Sequence, residues 1–300
     1  MMFDATTGAS VQQNFIVDDP TSVNYNFQSP KDAIQVGTEV WVSDQVSDAI
    51  YRFNPSGAFI AAITGGMDNV RRMELVGSTV YVANSGTNKG APGQAIVMFS
   101  TAGAPLLNFA VPGPFDVVGF QGDLPITNIV GEHVERYTTA GAFVSTFHDS
   151  DGISGIDFPQ QVSVDPSGDV TCAGFSSPAG LYEYDAATGT QLNYIAVASG
   201  PRGVRELGNG NLLFTDGTGV YIYDNTTLST TTVLSGVSAQ FIGEFNPSSA
   251  RHPPCRWRNA RQRSTHWVAR RASDSAARPA PARAPGSTCP WSTSSTTSPG

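Results

Sequence analysis

The chain has 300 residues, with 31 glycines, 20 prolines and a formal net charge of −8, a composition that fits many short strands joined by turns and excludes a helical bundle. The charge is unevenly divided: through Ser249 there are 8 Lys plus Arg against 24 Asp plus Glu, a net −16, whereas the rest holds 9 Arg and one Asp. So acidic a body disfavours non-specific nucleic-acid binding, and no apolar run is long enough for a membrane span.

Residues Met1 to Val17 read as two strands separated by the turn DATTG, which is the second half of a longer phrase seen in full at Glu39 to Ile63. That phrase, EVWVSDQVSDAIYRFNPSGAFIAAI, is strand, polar turn, strand, turn and strand. A polar connector, Asp18 to Pro30, leads into the first complete repeat, roughly 31–63, and further copies follow at about 70–111, 114–148, 158–197 and 201–236. An aromatic near the end of the third strand keeps the register, at Phe3, Phe53, Phe99, Tyr137, Tyr184 and Tyr223. Packing between neighbouring blades accounts for these rings better than ligand stacking does. A glycine follows at Gly8, Gly57, Gly103, Gly141 and Gly189, where the turn takes a positive φ; the sixth copy, NTTLS, lacks it.

After the fifth repeat, GVSAQFIGEFNP matches a first strand, so a sixth blade is expected to close from both ends of the chain. Its second strand should begin near residue 250. Instead the composition changes to an Arg/Pro/Ser-rich tail over residues 250–300, with three of the four tryptophans and almost no aliphatic residues. Out-of-frame translation of GC-rich DNA is the preferred reading, ahead of a generic disordered tail and of a functional basic tail. Thr265–Ala269 (THWVA) imitates a second strand without matching turns. The expected fold is therefore all-β: a six-bladed propeller over residues 1–249, with five complete four-stranded blades and one incomplete composite blade.

The stretch FPQQVSVDPSGDVTCAG…GLYEYDAATG resembles the NHL repeat, in which Pro precedes the first strand, Asp-x-x-Gly turns into the second and an aromatic closes the third. WVSDQVSDAIYRFNPSG is similar. The resemblance covers roughly residues 1–245 and implies a six-bladed propeller of the NHL and SMP-30/gluconolactonase type, an architecture shared by scaffolds, binding modules, lactonases and lyases. The lactonase members imply a divalent cation held by Glu, Asn and Asp where first strands begin. The equivalent positions here are Lys31, Arg71, Phe115, Gln160, Arg202 and Ser238, and none is a carboxylate. Asp32 and Asp116 lie one residue further, where strand alternation turns them away from the channel unless the register slips.

No catalytic residue emerges. His133 reads as a loop residue, His148 ends a fourth strand, and His252 and His266 fall in the tail, so no catalytic constellation can be assembled. Cys172 is a small strand residue, and Cys255 and Cys289 lie in the tail, giving neither a disulfide framework nor a zinc spacing. Asp149, Asp151 and Asp157 form a weak calcium candidate that lacks the spacing of an EF-hand; no other cofactor is expected. The positive feature is basic: five of the eight cations of the body, Lys31, Arg71, Arg72, Arg202 and Arg205, cluster at first-strand entries. Lys31, Arg71 and Arg202, with Gln160 beside them, are expected to meet at one mouth of the channel and bind an anion. The alternative is that each arginine pairs with a carboxylate to tie blades together.

The sequence thus leans towards a monomeric, non-catalytic binding or surface-recognition module for a small anionic, carbohydrate or peptide ligand. A metal-dependent hydrolase or lyase and a purely structural scaffold are the alternatives. Low charge content with abundant Thr, Ser, Asn and Gly points outside the cytoplasm, to the extracellular space or cell envelope, although neither a signal sequence nor an anchor is visible in this chain.

Overall fold

The computed structural model describes residues 1–18, 21–150, 155–165, 168–176 and 178–246. The tail from Ala250 onward, Thr265–Ala269 included, lies outside the described residues. A short antiparallel pair, β1 (Met2–Phe3) and β2 (Ser10–Gln12), comes first. Then come β3 (Pro30–Val36), β4 (Glu39–Asp44), β5 (Ala49–Phe53) and β6 (Phe59–Ile63), followed by β7 (Val70–Val76), β8 (Thr79–Asn84), β9 (Ala95–Ser100) and β10 (Pro105–Ala110). The third set is β11 (Pro114–Val117), β12 (Asp123–Asn128), β13 (His133–Thr138) and β14 (Phe143–Asp149). The last two are β15 (Pro159–Val164), β16 (Val170–Gly174), β17 (Gly180–Tyr184) and β18 (Gln191–Ala196), then β19 (Gly203–Glu206), β20 (Leu212–Thr215), β21 (Gly219–Asp224) and β22 (Ser229–Ser235).

Each set of four is one antiparallel sheet in simple sequence order, and the first strands β3, β7, β11, β15 and β19 neighbour one another in turn. This is the arrangement of a β-propeller, with a sheet for every repeat read from the sequence. Second strands such as β8 and β16 are buried along nearly their whole length, because each lies in a sheet covered on both faces by neighbouring sheets. They accordingly read as apolar runs, whereas the outer β6 alternates between partly covered and exposed residues.

The aromatic register residues do pack between blades. Phe99 lies with Ile34, Trp41 and Ile50 of the preceding sheet, Tyr137 with Tyr81 and Met98, and Tyr184 with Val134 and Phe147. Tyr223 and Phe3 follow the same rule against Leu181 and Ile222. The five predicted turn glycines all take positive φ, and in the sixth copy Leu228 is forced to φ 53° with its side chain exposed.

The structure has five four-stranded blades, not six. The segment 236–246, expected as a first strand, pairs with no strand among the described residues. Side chains hold it instead. Gln161 Nε2 donates to Ile242 O at 2.8 Å while its Oε1 accepts from Ile242 N–H at 2.8 Å. Gln35 makes the same two-way contact with Asn246. Thr215 Oγ1 donates to Gln240 O, as Ser43 does to Arg71 O and Thr127 to Gln160 O. By that equivalence residues 240–246 take the place of a first strand between β19 and β3, without a ladder. Gly203 is required beside it, since a Cβ there would stand 2.5 Å from Gln240 O and 2.9 Å from Gln161 Oε1.

Candidate functional site

The site begins with a repeated irregularity. In the first four blades the pairing of first and second strand slips at the entry: between Pro30 and Asp32, Val70 and Met73, Pro114 and Val117, and Pro159 and Val162. A bulge breaks the two-residue alternation, so successive side chains can both turn towards the axis. This corrects the expectation that Asp32 and Asp116 face away: both are buried in the channel, 3% and 0% exposed, and converge on Arg72. The six places equivalent to Lys31 form a mouth tier, and the next residue along each strand forms an inner tier.

The inner tier is saturated. Arg72 pairs through Nε with Asp116 Oδ1 at 3.1 Å and through Nη1 with Asp32 Oδ1. The second oxygens of the two carboxylates accept backbone N–H groups from the next blade: Met73 to Asp32 at 2.9 Å and Val162 to Asp116 at 2.6 Å. Gln161 plays the same part for Val204 and Ile242. Burial alone would lower the Arg72 guanidinium, but Asp32 and Asp116 outweigh it and hold it charged. Burial pushes Asp116 up to about 8 and also raises Glu74, which completes a group of three carboxylates around one guanidinium.

The mouth tier is not saturated. Among the described residues neither Lys31, Arg71 nor Arg202 makes an ion pair, while Arg72 and Arg205 both do. Burial lowers the Lys31 ammonium, and repulsion from Arg202 and Arg71 lowers it further against the pull of Asp44, so the three cations lie near one another. Burial pushes the Arg71 guanidinium down to about 10. It lies over the Phe115 ring at 4.3 Å and donates weakly to Pro114 O at 3.4 Å, leaving its buried Nε without a partner. Arg202 donates to Ser238 Oγ at 2.8 Å. Gln160 is 4% exposed and its Oε1 is also unpartnered, a desolvation cost of about 1–3 kcal/mol unless a donor arrives. The sixth mouth position is Gln240, by the Thr215 contact, rather than Ser238 two residues earlier.

Four phenylalanines line the same region, and of these only Phe115 was noted from the sequence. Phe115 touches Phe158 at 5.8 Å and Phe241 at 5.7 Å, and Phe158 touches Phe175 at 5.7 Å. Phe115 belongs to the third blade and Phe241 to the sixth position, so their contact crosses the axis and makes the channel a floored cup. Phe241 lay within the segment read as a strand; Phe158 and Phe175 flank β15 and β16, and nothing in their spacing marks them.

The weak calcium candidate is distributed differently. Asp149 Oδ1 lies 2.7 Å from His133 Nδ1, Asp157 hydrogen bonds with Glu132, and Asp151 lies outside the described residues. His133 is the first residue of β13 rather than a loop residue, and His148 packs on Tyr184 with Nδ1 3.0 Å from Gly189 O. Among the described residues one acidic group converges to ligand distances: Asp165, Asp169 and Glu183, at the end of β15 opposite Gln160. Asp165 Oδ1 there already accepts the N–H groups of Gly168 and Asp169.

No protein-family model and no curated protein sequence matches the chain. Solved structures do. The nidogen/laminin complex matches with a TM-score of 0.59 at 15% identity, over 71% of this chain and 84% of that one. Virginiamycin B lyase from Staphylococcus aureus gives 0.52 at 15%, over 68% and 69%, and Kuenenia stuttgartiensis hydrazine synthase gives 0.54 at 13%, over 71% and 68%. What they share with this chain is the propeller fold. A lyase, a synthase and a complex of two proteins have no single chemistry in common, so the fold carries no activity with it.

Proposed function

We propose that the chain is a non-catalytic binding propeller whose ligand is an anion seated in the cup at the channel mouth. The observation that carries this reading is the contrast between adjacent residues: Arg72 is paired with two carboxylates, whereas among the described residues Lys31, Arg71 and Arg202 make no ion pair, and Asp44 is the carboxylate that offsets their mutual repulsion at Lys31. Preorganised, partly desolvated guanidinium groups gain more from an incoming carboxylate or phosphate than from water. The carboxylates of the channel are committed to Arg72, which weighs against a lactonase-type metal at this place. NHL-like repeats belong to the same reading, supported by the sequence phrases, as does a location in the extracellular space or cell envelope, supported by the low charge content and the abundant Thr, Ser, Asn and Gly.

Calorimetric titration of acetate and of inorganic phosphate into the full-length chain tests it. At least one is expected to bind saturably, and the Arg71→Ala/Arg202→Ala variant is expected to bind it at least about tenfold more weakly. Its thermal midpoint should stay near that of the parent, because neither arginine has an ion-pair partner among the described residues to leave stranded. Absence of saturable anion binding, or equal affinity in the double variant, would overturn the reading; lactone hydrolysis after loading with a divalent cation would establish the hydrolase instead.

A further inference from the structure

The rings around the cup narrow the ligand. Arg71 lies over Phe115, Arg202 over Phe175 at 5.8 Å and Arg72 over Phe241 at 5.8 Å, so every guanidinium near the mouth is backed by an aromatic face. Those faces belong to one continuous cluster, Phe241–Phe115–Phe158–Phe175, and all four rings are partly exposed. A compact anion such as phosphate would have to shed water against hydrocarbon to reach the guanidinium groups. A flat apolar body would instead cover the rings while its charged end met the cations.

Phe158 gives a second, independent observation. Its φ is 48°, a left-handed conformation that is costly for a bulky residue and further disfavoured before Pro159. The loop is held there by Phe175 N–H donating to Phe158 O at 3.2 Å and Ser176 N–H donating to Asp157 O at 3.4 Å. Strain of this kind persists where the surroundings over-determine it, and what it achieves here is to set the Phe158 ring between Phe115 and Phe175.

We infer that the mouth takes an aromatic carboxylate: a planar ring against the phenylalanines, with its carboxylate among Lys31, Arg71 and Arg202. This rests on the anion site proposed above and adds the ring as the determinant of specificity. The experiment compares benzoate with acetate and inorganic phosphate by calorimetry on the full-length chain. Benzoate is expected to bind about tenfold or more tightly than acetate, the ring supplying the difference. In Phe158→Gly, where glycine accepts the backbone conformation and preserves the fold, the benzoate-to-acetate ratio should fall towards one. Equal affinity for benzoate and acetate, or a ratio that survives Phe158→Gly, overturns this inference and leaves the anion site standing. Failure of all three probes to bind overturns both.

Discussion

Two tiers of side chains, one residue apart on the same strands, are built to opposite rules. In the inner tier each polar group is spoken for: Arg72 by Asp32 and Asp116, Asp32 by Met73 N–H, Asp116 by Val162 N–H and Gln161 by Ile242. In the mouth tier the polar groups outnumber their partners, and Gln160 Oε1 and Arg71 Nε are buried with none. Blades need to be fastened to one another near the axis, and a single tier suffices for that. A second tier of cations without ion pairs is a cost to the folded protein, and the proposed anion would offset it.

The sharpest way to break this contrast is to remove Arg72. Arg72→Met leaves Asp32 and Asp116 buried without their cation, and denaturant unfolding should show a loss of about 3–5 kcal/mol. Arg71 and Arg202 should behave oppositely, losing ligand without losing stability. If both kinds of variant lose stability equally, the two tiers are one structural unit.

Acidity sharpens the contrast next. Asp116 has a folded pKa raised by burial to about 8, so the folded state keeps that proton to a higher pH than the unfolded chain does. Its contribution to stability is complete below the ordinary carboxylate range and is lost as pH rises through about 8. Unfolding midpoints measured between about pH 5 and pH 9 should therefore decline, and Asp116→Asn should flatten the decline. In the mouth tier the shift acts on binding instead: Lys31, lowered by burial and by Arg202 and Arg71, gives up its proton earlier than a free ammonium, so anion affinity should fall as the solution turns alkaline while the guanidinium groups stay charged.

The smallest effect lies far from both tiers. Leu228 occupies the turn position that glycine fills in the five other copies, with φ 53° and an exposed side chain. Leu228→Gly should stabilise by about 1 kcal/mol, seen as a higher thermal midpoint with unchanged anion affinity.

That turn also shows what a sequence makes legible. Phe53, Phe99, Tyr137 and Tyr184 with their following glycines announce sheet order and inter-blade packing, because a repeated local geometry demands the same residues each time. The expectation that Lys31, Arg71 and Arg202 meet at one mouth rests on the same register. Two things did not. The entry bulges, which bring Asp32 and Asp116 inward, depend on strand pairing that no residue type encodes. Phe158, Phe175 and Phe241 meet only through loops of different blades, so their spacing along the chain carries no trace of contact. The sixth position was misread for a related reason: GVSAQFIGEFNP has the apolar pattern of a strand, but a ladder needs a neighbour, and among the described residues none pairs with it.

The two-way bond between the Gln161 amide and Ile242 gives the ring an unequal distribution of local stability. Elsewhere around the axis, four-stranded ladders resist opening cooperatively; at this joint separate side-chain bonds from Gln161, Thr215 and Gln35 and the Arg205–Glu244 pair do the fastening. Amide hydrogen exchange would accordingly be quickest from Gln240 to Asn246, and the earliest breathing of the molecule would start there.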